Sequence, residues 1–239
     1  MDIDIKQMLK DLAKQYPRYG FKKLFSLIRL DKHNWNHKRV YRNYLELGLN
    51  LQRKPKKRLA PRTAQKLVQP ATLNVCWSLD FMSDSLNNGS RFRTANVLDD
   101  CNREALGILV EGSLPSTRIT AWLDDIAAWR GYPLKIRVDN GPENIASHFK
   151  LWANLHKIEI QYIQPGKPAQ NGYIERFNRS YREEVLNMYL FDHIEQAQDL
   201  TDKWLVHYNE IRPHEALGNV PPAYIVKKLK MENSTITLW

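Results

Sequence analysis

The chain has 239 residues, 43% of them hydrophobic and 26% charged, an ordinary globular composition that excludes a wholly disordered chain. Its formal net charge of +10 is unevenly spread: residues 1–70 carry 18 Lys and Arg against 5 Asp and Glu (net +13), and residues 71–239 carry 18 against 21 (net −3). Cys76 and Cys101 form neither a disulfide framework nor a Cys-x-x-Cys pair, and no apolar run reaches the roughly 18 residues of a membrane span, so a reducing, cytoplasmic setting is expected.

In chain order, Ile5, Met8, Leu9 and Leu12 recur at helical spacing, and Tyr16-Pro17 ends that element. A second helix fits residues 21–30, with Phe21, Leu24, Phe25 and Ile28 on one side. A third follows Asn36 as N-cap, turns Val40, Tyr44 and Leu47 inward and ends at Gly48. Residues 1–52 therefore suit a helix-turn-helix module whose third helix presents His37, Lys38, Arg39 and Arg42 to a DNA groove. A helical hairpin packed on the core or on another subunit fits the same pattern. Residues 53–73 read as a basic, proline-containing linker, either laid along a DNA backbone or serving as a plain tether.

From residue 74 the texture changes. Strands are predicted at 75–82, 91–98 and 105–110, with Asn87-Asn-Gly-Ser as a hairpin turn between the first two. A helix over 116–130, a strand over 134–138, a helix over 147–156 and a strand over 159–163 follow, then helices over 169–187 and 194–208. This order predicts an α/β domain with a mixed sheet over residues 74–226 and a tail at 227–239.

Three carboxylates stand out by their settings: Asp80 within the first strand, Asp139 at the end of the fourth, and Glu175 on the first turns of a helix, with 35 residues between the last two. Acids that close neighbouring strands and a facing helix can converge. Oxygen ligands of this kind suit Mg²⁺ or Mn²⁺, and a pair of ions would serve phosphodiester chemistry. The seven histidines form no set with zinc spacing. Asp84, Asp99, Asp100, Asp124 and Asp125 read as turn residues or a helix face, Glu143 as a turn residue able to support the site, and Trp77, Trp122, Trp129, Trp152 and Trp204 as core.

The segments Trp77-Ser-Leu-Asp80-Phe, Val138-Asp139-Asn-Gly-Pro-Glu143, Gly166-Lys-Pro-Ala-Gln-Asn-Gly-Tyr-Ile-Glu175-Arg-Phe-Asn-Arg-Ser-Tyr-Arg182 and Tyr208-Asn-Glu-Ile-Arg-Pro-His214 resemble the DDE transposases of the retroviral integrase superfamily. Within it they resemble most the second-frame (OrfB-type) transposases of bacterial insertion sequences of the third family, over roughly residues 16–226. The resemblance implies an RNase H-like integrase core of five strands with flanking helices, preceded by a small all-α helix-turn-helix domain. It also implies Mg²⁺-dependent strand cleavage and joining at element ends, with Asp80, Asp139 and Glu175 as metal ligands. Arg182, matching a basic residue the superfamily sets against phosphate, would contact DNA, with Arg179, Lys167, Gln170 and Asn171 as further contacts. DNA, a homo-oligomer assembled on it and an upstream-frame partner or fusion are the expected partners, in bacterial cytoplasm at the nucleoid. One departure stands out: Asn144 follows Glu143 where relatives usually carry an aromatic residue.

Two rival readings share these motifs. One is an RNase H-like nuclease that hydrolyses without joining; the other is a DNA-binding regulator descended from a transposase, against which the three intact acids argue.

Overall fold

A computed structural model describes residues 2–51, 67–164 and 168–228. These fall into two compact units, one of residues 2–51 with 210–228 and one ending at Asn209. Residues 210–226, grouped from the sequence with the α/β domain, thus cluster with the N-terminal helices.

The first unit holds α1 (Asp2–Gln15), α2 (Phe21–Leu30) and α3 (His37–Glu46). Their inward residues Ile5, Leu9, Leu24, Leu27, Ile28, Val40 and Tyr44 form one buried cluster with Tyr19, as their spacing demands. The Asn36 side chain accepts a hydrogen bond from the Lys38 backbone N–H at 2.9 Å, capping α3, and Gly48 takes the left-handed conformation (φ 64°) that ends it. Arg212, from the 210–228 segment of the same unit, lies over the Tyr19 ring.

The second unit is a five-stranded mixed sheet: β1 (Cys76–Ser85), β2 (Arg91–Asp99), β3 (Ala105–Glu111), β4 (Lys135–Val138) and β5 (Glu159–Tyr162), in the order β3-β2-β1-β4-β5. β1 is central, antiparallel to β2 and parallel to β4. Helix α4 (Ser116–Arg130) carries the chain from β3 to β4, the one-turn α5 (Pro142–Ile145) and α6 (Ser147–Leu155) carry it to β5, and α7 (Gly172–Tyr181) and α8 (Ile194–Glu210) close the unit. Two apolar layers flank the sheet. One packs Trp77, Leu79, Val97, Ile119, Leu123, Phe149 and Trp152 together; the other packs Phe92, Ile108, Ile174, Phe177, Tyr181 and Trp204. Gly107 on β3 lets α4 approach, since a Cβ there would stand 2.8 Å from Trp122 Cζ2.

The continuous helix predicted over 169–187 is instead three pieces. A 3₁₀ turn (Pro168–Asn171) leads into α7, and a π-helical turn (Arg182–Leu186) follows it. Tertiary contacts account for the widened turn: the Arg182 guanidinium is fixed to β1, Tyr181 is buried with its hydroxyl on Thr201, and Trp204 Nε1 donates to Glu184. Of the tryptophans, Trp77, Trp152 and Trp204 are buried, whereas Trp129 is 62% exposed and not core.

Candidate active site

The central strand sets the site. Asp80 lies midway along β1, opposite Asn96 of β2, in an environment that penalises charge. Burial pushes its carboxyl up to about 6; the Phe81 backbone N–H holds it down, the negative charges of Asp139 and Glu175 push it further up, and the Asn178 amide opposes them. Both other acids therefore lie within electrostatic reach of Asp80. Asn178 donates to Asp80 Oδ2 at 2.7 Å and accepts from Asn96 Nδ2 at 2.7 Å, so a relay of amides ties α7 to both strands beneath the acid.

Asp139 follows the last residue of β4. Its Oδ1 accepts the Gly141 backbone N–H and the Asn144 side-chain Nδ2, each at 2.9 Å, which folds the loop into an Asx turn before α5. Gly141 is required by close approach: a Cβ there would sit 2.9 Å from Asp139 Oδ1 and 3.2 Å from Glu143 Oε2. Glu143 is more than a turn residue, because it is an ion-pair partner of Arg93 from β2, and Arg93 also lies over the Phe81 ring. Glu175 is exposed in the first turn of α7.

Among the described residues no three His, Cys, Asp or Glu side chains are arranged to hold a metal ion as they stand. The donor set nevertheless fits a hard dication. It is all carboxylate oxygen, and a bound positive charge would offset both the burial that chiefly raises Asp80 and the lesser repulsion from Asp139 and Glu175. The acids also lie outside the cavity of about 410 Å³ lined by Leu67, Val75, Lys135, Arg137, Gln161 and Gln170.

The other sequence candidates are dispersed. Arg182 donates to Asp84 Oδ2 at 2.7 Å and to the Ser83 carbonyl at 2.8 Å, so it is anchored at the end of β1. Arg179 is exposed in the last turn of α7. Asn171, at the N-cap of that helix, is buried, and its Oδ1 has no hydrogen-bond partner among the described residues. Gln170 accepts the Gln164 backbone N–H, and Lys167 lies outside the described residues. On α3, Arg39 pairs with Asp2 at 2.6 Å, Arg42 lies 3.5 Å from the same carboxylate, and His37 packs edge-on against Phe21 and Phe25; Lys38 is exposed. Sequence reasoning overlooked Asn178, which sits one helical turn from Glu175 inside the quoted motif and could have been found by that spacing. Asn96 and Arg93 have no local signal, since only the strand register brings them to the acids.

Comparison with known proteins bears on the family and the fold. Two models of the integrase core domain match, at residues 71–168 and 156–222. An uncharacterized 39.2 kDa protein of insertion element IS476 from Xanthomonas euvesicatoria is 38% identical over 95% of this chain, and the chain spans 65% of its length. An uncharacterized 31.7 kDa protein of insertion element IS407 from Burkholderia multivorans is 37% identical over 92% of the chain and 79% of its own length. The Escherichia coli transposase InsD of insertion element IS2 is 27% identical over 92% and 77% respectively. Among solved structures, the HTLV-2 integrase catalytic core domain in complex with magnesium (trimeric form) shares the fold, with a TM-score of 0.51 and 20% identity over 64% of this chain and 95% of that one. By these matches the chain belongs to the integrase-core DDE transposase family of bacterial insertion sequences.

Proposed function

We propose that this chain catalyses metal-dependent DNA cleavage and strand transfer at the ends of an insertion sequence. The observation that carries the reading is the placement of Asp80 on the central strand of an integrase-type sheet, Asp139 at the end of the neighbouring β4 and Glu175 in the first turn of α7, whose Asn178 bonds Asp80. Asp80, Asp139 and Glu175 would hold Mg²⁺, with Mn²⁺ as a substitute and two ions as the full complement. Such ions lower the pKa of a water or 3′-hydroxyl and stabilise charge on the leaving oxygen of an in-line displacement.

The chain's own residues orient the reaction. Asn178 and Asn96 fix Asp80, and the Asx turn fixes Asp139. Arg179 and Arg182 would meet phosphates beside the acids, with Lys167, Gln170 and Asn171 near the terminal nucleotide. Residues 1–52 would act as the DNA-binding helix-turn-helix domain through His37, Lys38, Arg39 and Arg42, residues 53–73 as the basic linker, and residues 74–226 as the catalytic domain. The working form is a homo-oligomer holding two DNA ends in bacterial cytoplasm at the nucleoid, joined by an upstream-frame partner or fusion.

The test is a joining assay with pre-cleaved element ends and a circular target. The wild-type chain is expected to join ends in Mg²⁺ or Mn²⁺. Asp80→Asn, Asp139→Asn and Glu175→Gln should each lose joining by at least about a thousandfold while still binding DNA, the scale expected when transition-state electrostatics are removed. Hydrolysis without joining would instead establish the nuclease, and joining that survives all three substitutions would refute the site.

A further inference from the structure

We propose that Asn144 is a positioning residue for the candidate metal ligand Asp139, an inference that rests on the site reading above. Asn144 is completely buried on the one-turn helix α5, where its Nδ2 lies 2.9 Å from Asp139 Oδ1 and 3.4 Å from the Asp139 carbonyl. Its Oδ1 has no hydrogen-bond partner among the described residues. A primary amide buried with an orphaned oxygen costs free energy that a hydrocarbon of the same size would not. The burial is therefore accounted for by what the Nδ2 group does.

Two features hold Asn144 in place. Its backbone carbonyl accepts the Tyr162 hydroxyl from β5 at 3.0 Å, and the neighbouring Glu143 is pinned to Arg93 of β2. The amide is thereby braced from both sides of β1 and β4. Its bond and that of the Gly141 backbone N–H both fall on Asp139 Oδ1. One carboxylate oxygen is saturated by the loop, which leaves Oδ2 as the oxygen available to an ion and sets the rotation of the carboxylate plane. A hydrogen bond from outside the coordination shell that orients a ligand in this way governs metal affinity. An aromatic ring at this position could fill the space but could not donate the hydrogen bond.

The experiment is a Mn²⁺ titration of the full chain followed by electron paramagnetic resonance, comparing wild type, Asn144→Leu and Asp139→Asn, with the thermal midpoint of each recorded. Asn144→Leu keeps the volume and removes the donor. Mn²⁺ binding is expected to weaken about 10- to 100-fold, the range for loss of such a supporting hydrogen bond. The thermal midpoint should not fall, and joining at saturating Mn²⁺ should recover most of the wild-type rate. A folded Asn144→Leu with unchanged Mn²⁺ affinity, beside an Asp139→Asn that has lost binding, overturns the role of Asn144 alone. Wild-type binding that Asp139→Asn leaves intact overturns the site reading and this inference together. Should Asn144→Leu fail to fold, the wild-type chain crystallised with Mn²⁺ decides: Asn144 Nδ2 bonded to Asp139 Oδ1 with Oδ2 on the ion supports the role, and an Asn144 turned away from Asp139 refutes it.

Discussion

Asp80 is held in a state it resists. The strand centre that places it against α7 also strips its water, and two neighbouring charges add repulsion, which together raise its carboxyl to about 6. Folding therefore favours the protonated form: that contribution is complete below the ordinary carboxylate range and is lost as pH rises through about 6. At neutral pH without metal the ionised carboxylate opposes folding. Asp80→Asn removes the charge while keeping an oxygen for Asn178, so in chelator at pH 7.5 it is expected to stabilise the chain by about 3 kcal/mol, the free energy to which the displaced pKa corresponds. Thermal unfolding checks this, and a lower midpoint for the variant would show that the site carries no such repulsion. The three proposed metal ligands stand out by their sequence settings alone. Their supporting residues do not, because Asn96 and Arg93 reach the site only through the β1–β2 register, and Asn144 only through the Asx turn.

At the scale of elements, apolar runs bounded by turn residues located the strands, of which β2 and β3 are buried on both faces, and helical spacing located the long helices, each of which buries one face. What the period did not record is where tertiary contacts override it. The helix expected over 169–187 changes winding at Asn171 and again at Arg182 because Arg182 and Tyr181 are fixed to other elements. Likewise Asp99, expected in a turn, is the last residue of β2, Asp100 opens the turn that follows, and both are completely buried. Arg130 from the end of α4 meets Asp99 at 3.2 Å, while Arg137 of β4 and the Ser78 hydroxyl meet Asp100. Burial pushes the Asp100 carboxyl up, and Ser78 and Arg137 pull it back. Since Arg137 shares β4 with the approach to Asp139, this cluster anchors the strand that delivers the second acid. Asp100→Ala would leave Arg137 buried without its counter-charge, and a loss of about 3–5 kcal/mol is expected. Urea unfolding measures it; a loss under 1 kcal/mol would mean that water or Gln161 replaces the carboxylate.

Over the whole molecule, charge and chemistry are segregated. The basic excess belongs to residues 1–70, whereas the acids lie in a segment of net charge −3, which on the proposed function would give binding affinity and phosphoryl transfer to different parts of the chain. Part of the basic surface is already neutralised, because Asp2 at the start of α1 engages Arg39 and Arg42. If those arginines meet phosphate, Asp2→Asn should tighten DNA binding and steepen its salt dependence by up to about one counterion. An unchanged slope would remove them from the interface. The central claim, that Asp80, Asp139 and Glu175 form one metal site, is tested most directly by anomalous diffraction at the manganese edge from crystals of the chain bound to a DNA end and Mn²⁺. The account predicts manganese coordinated by Asp80 and Asp139, with the Glu175 carboxylate brought into the same site. Manganese bound only elsewhere, or a site that excludes any two of the three acids, would contradict it.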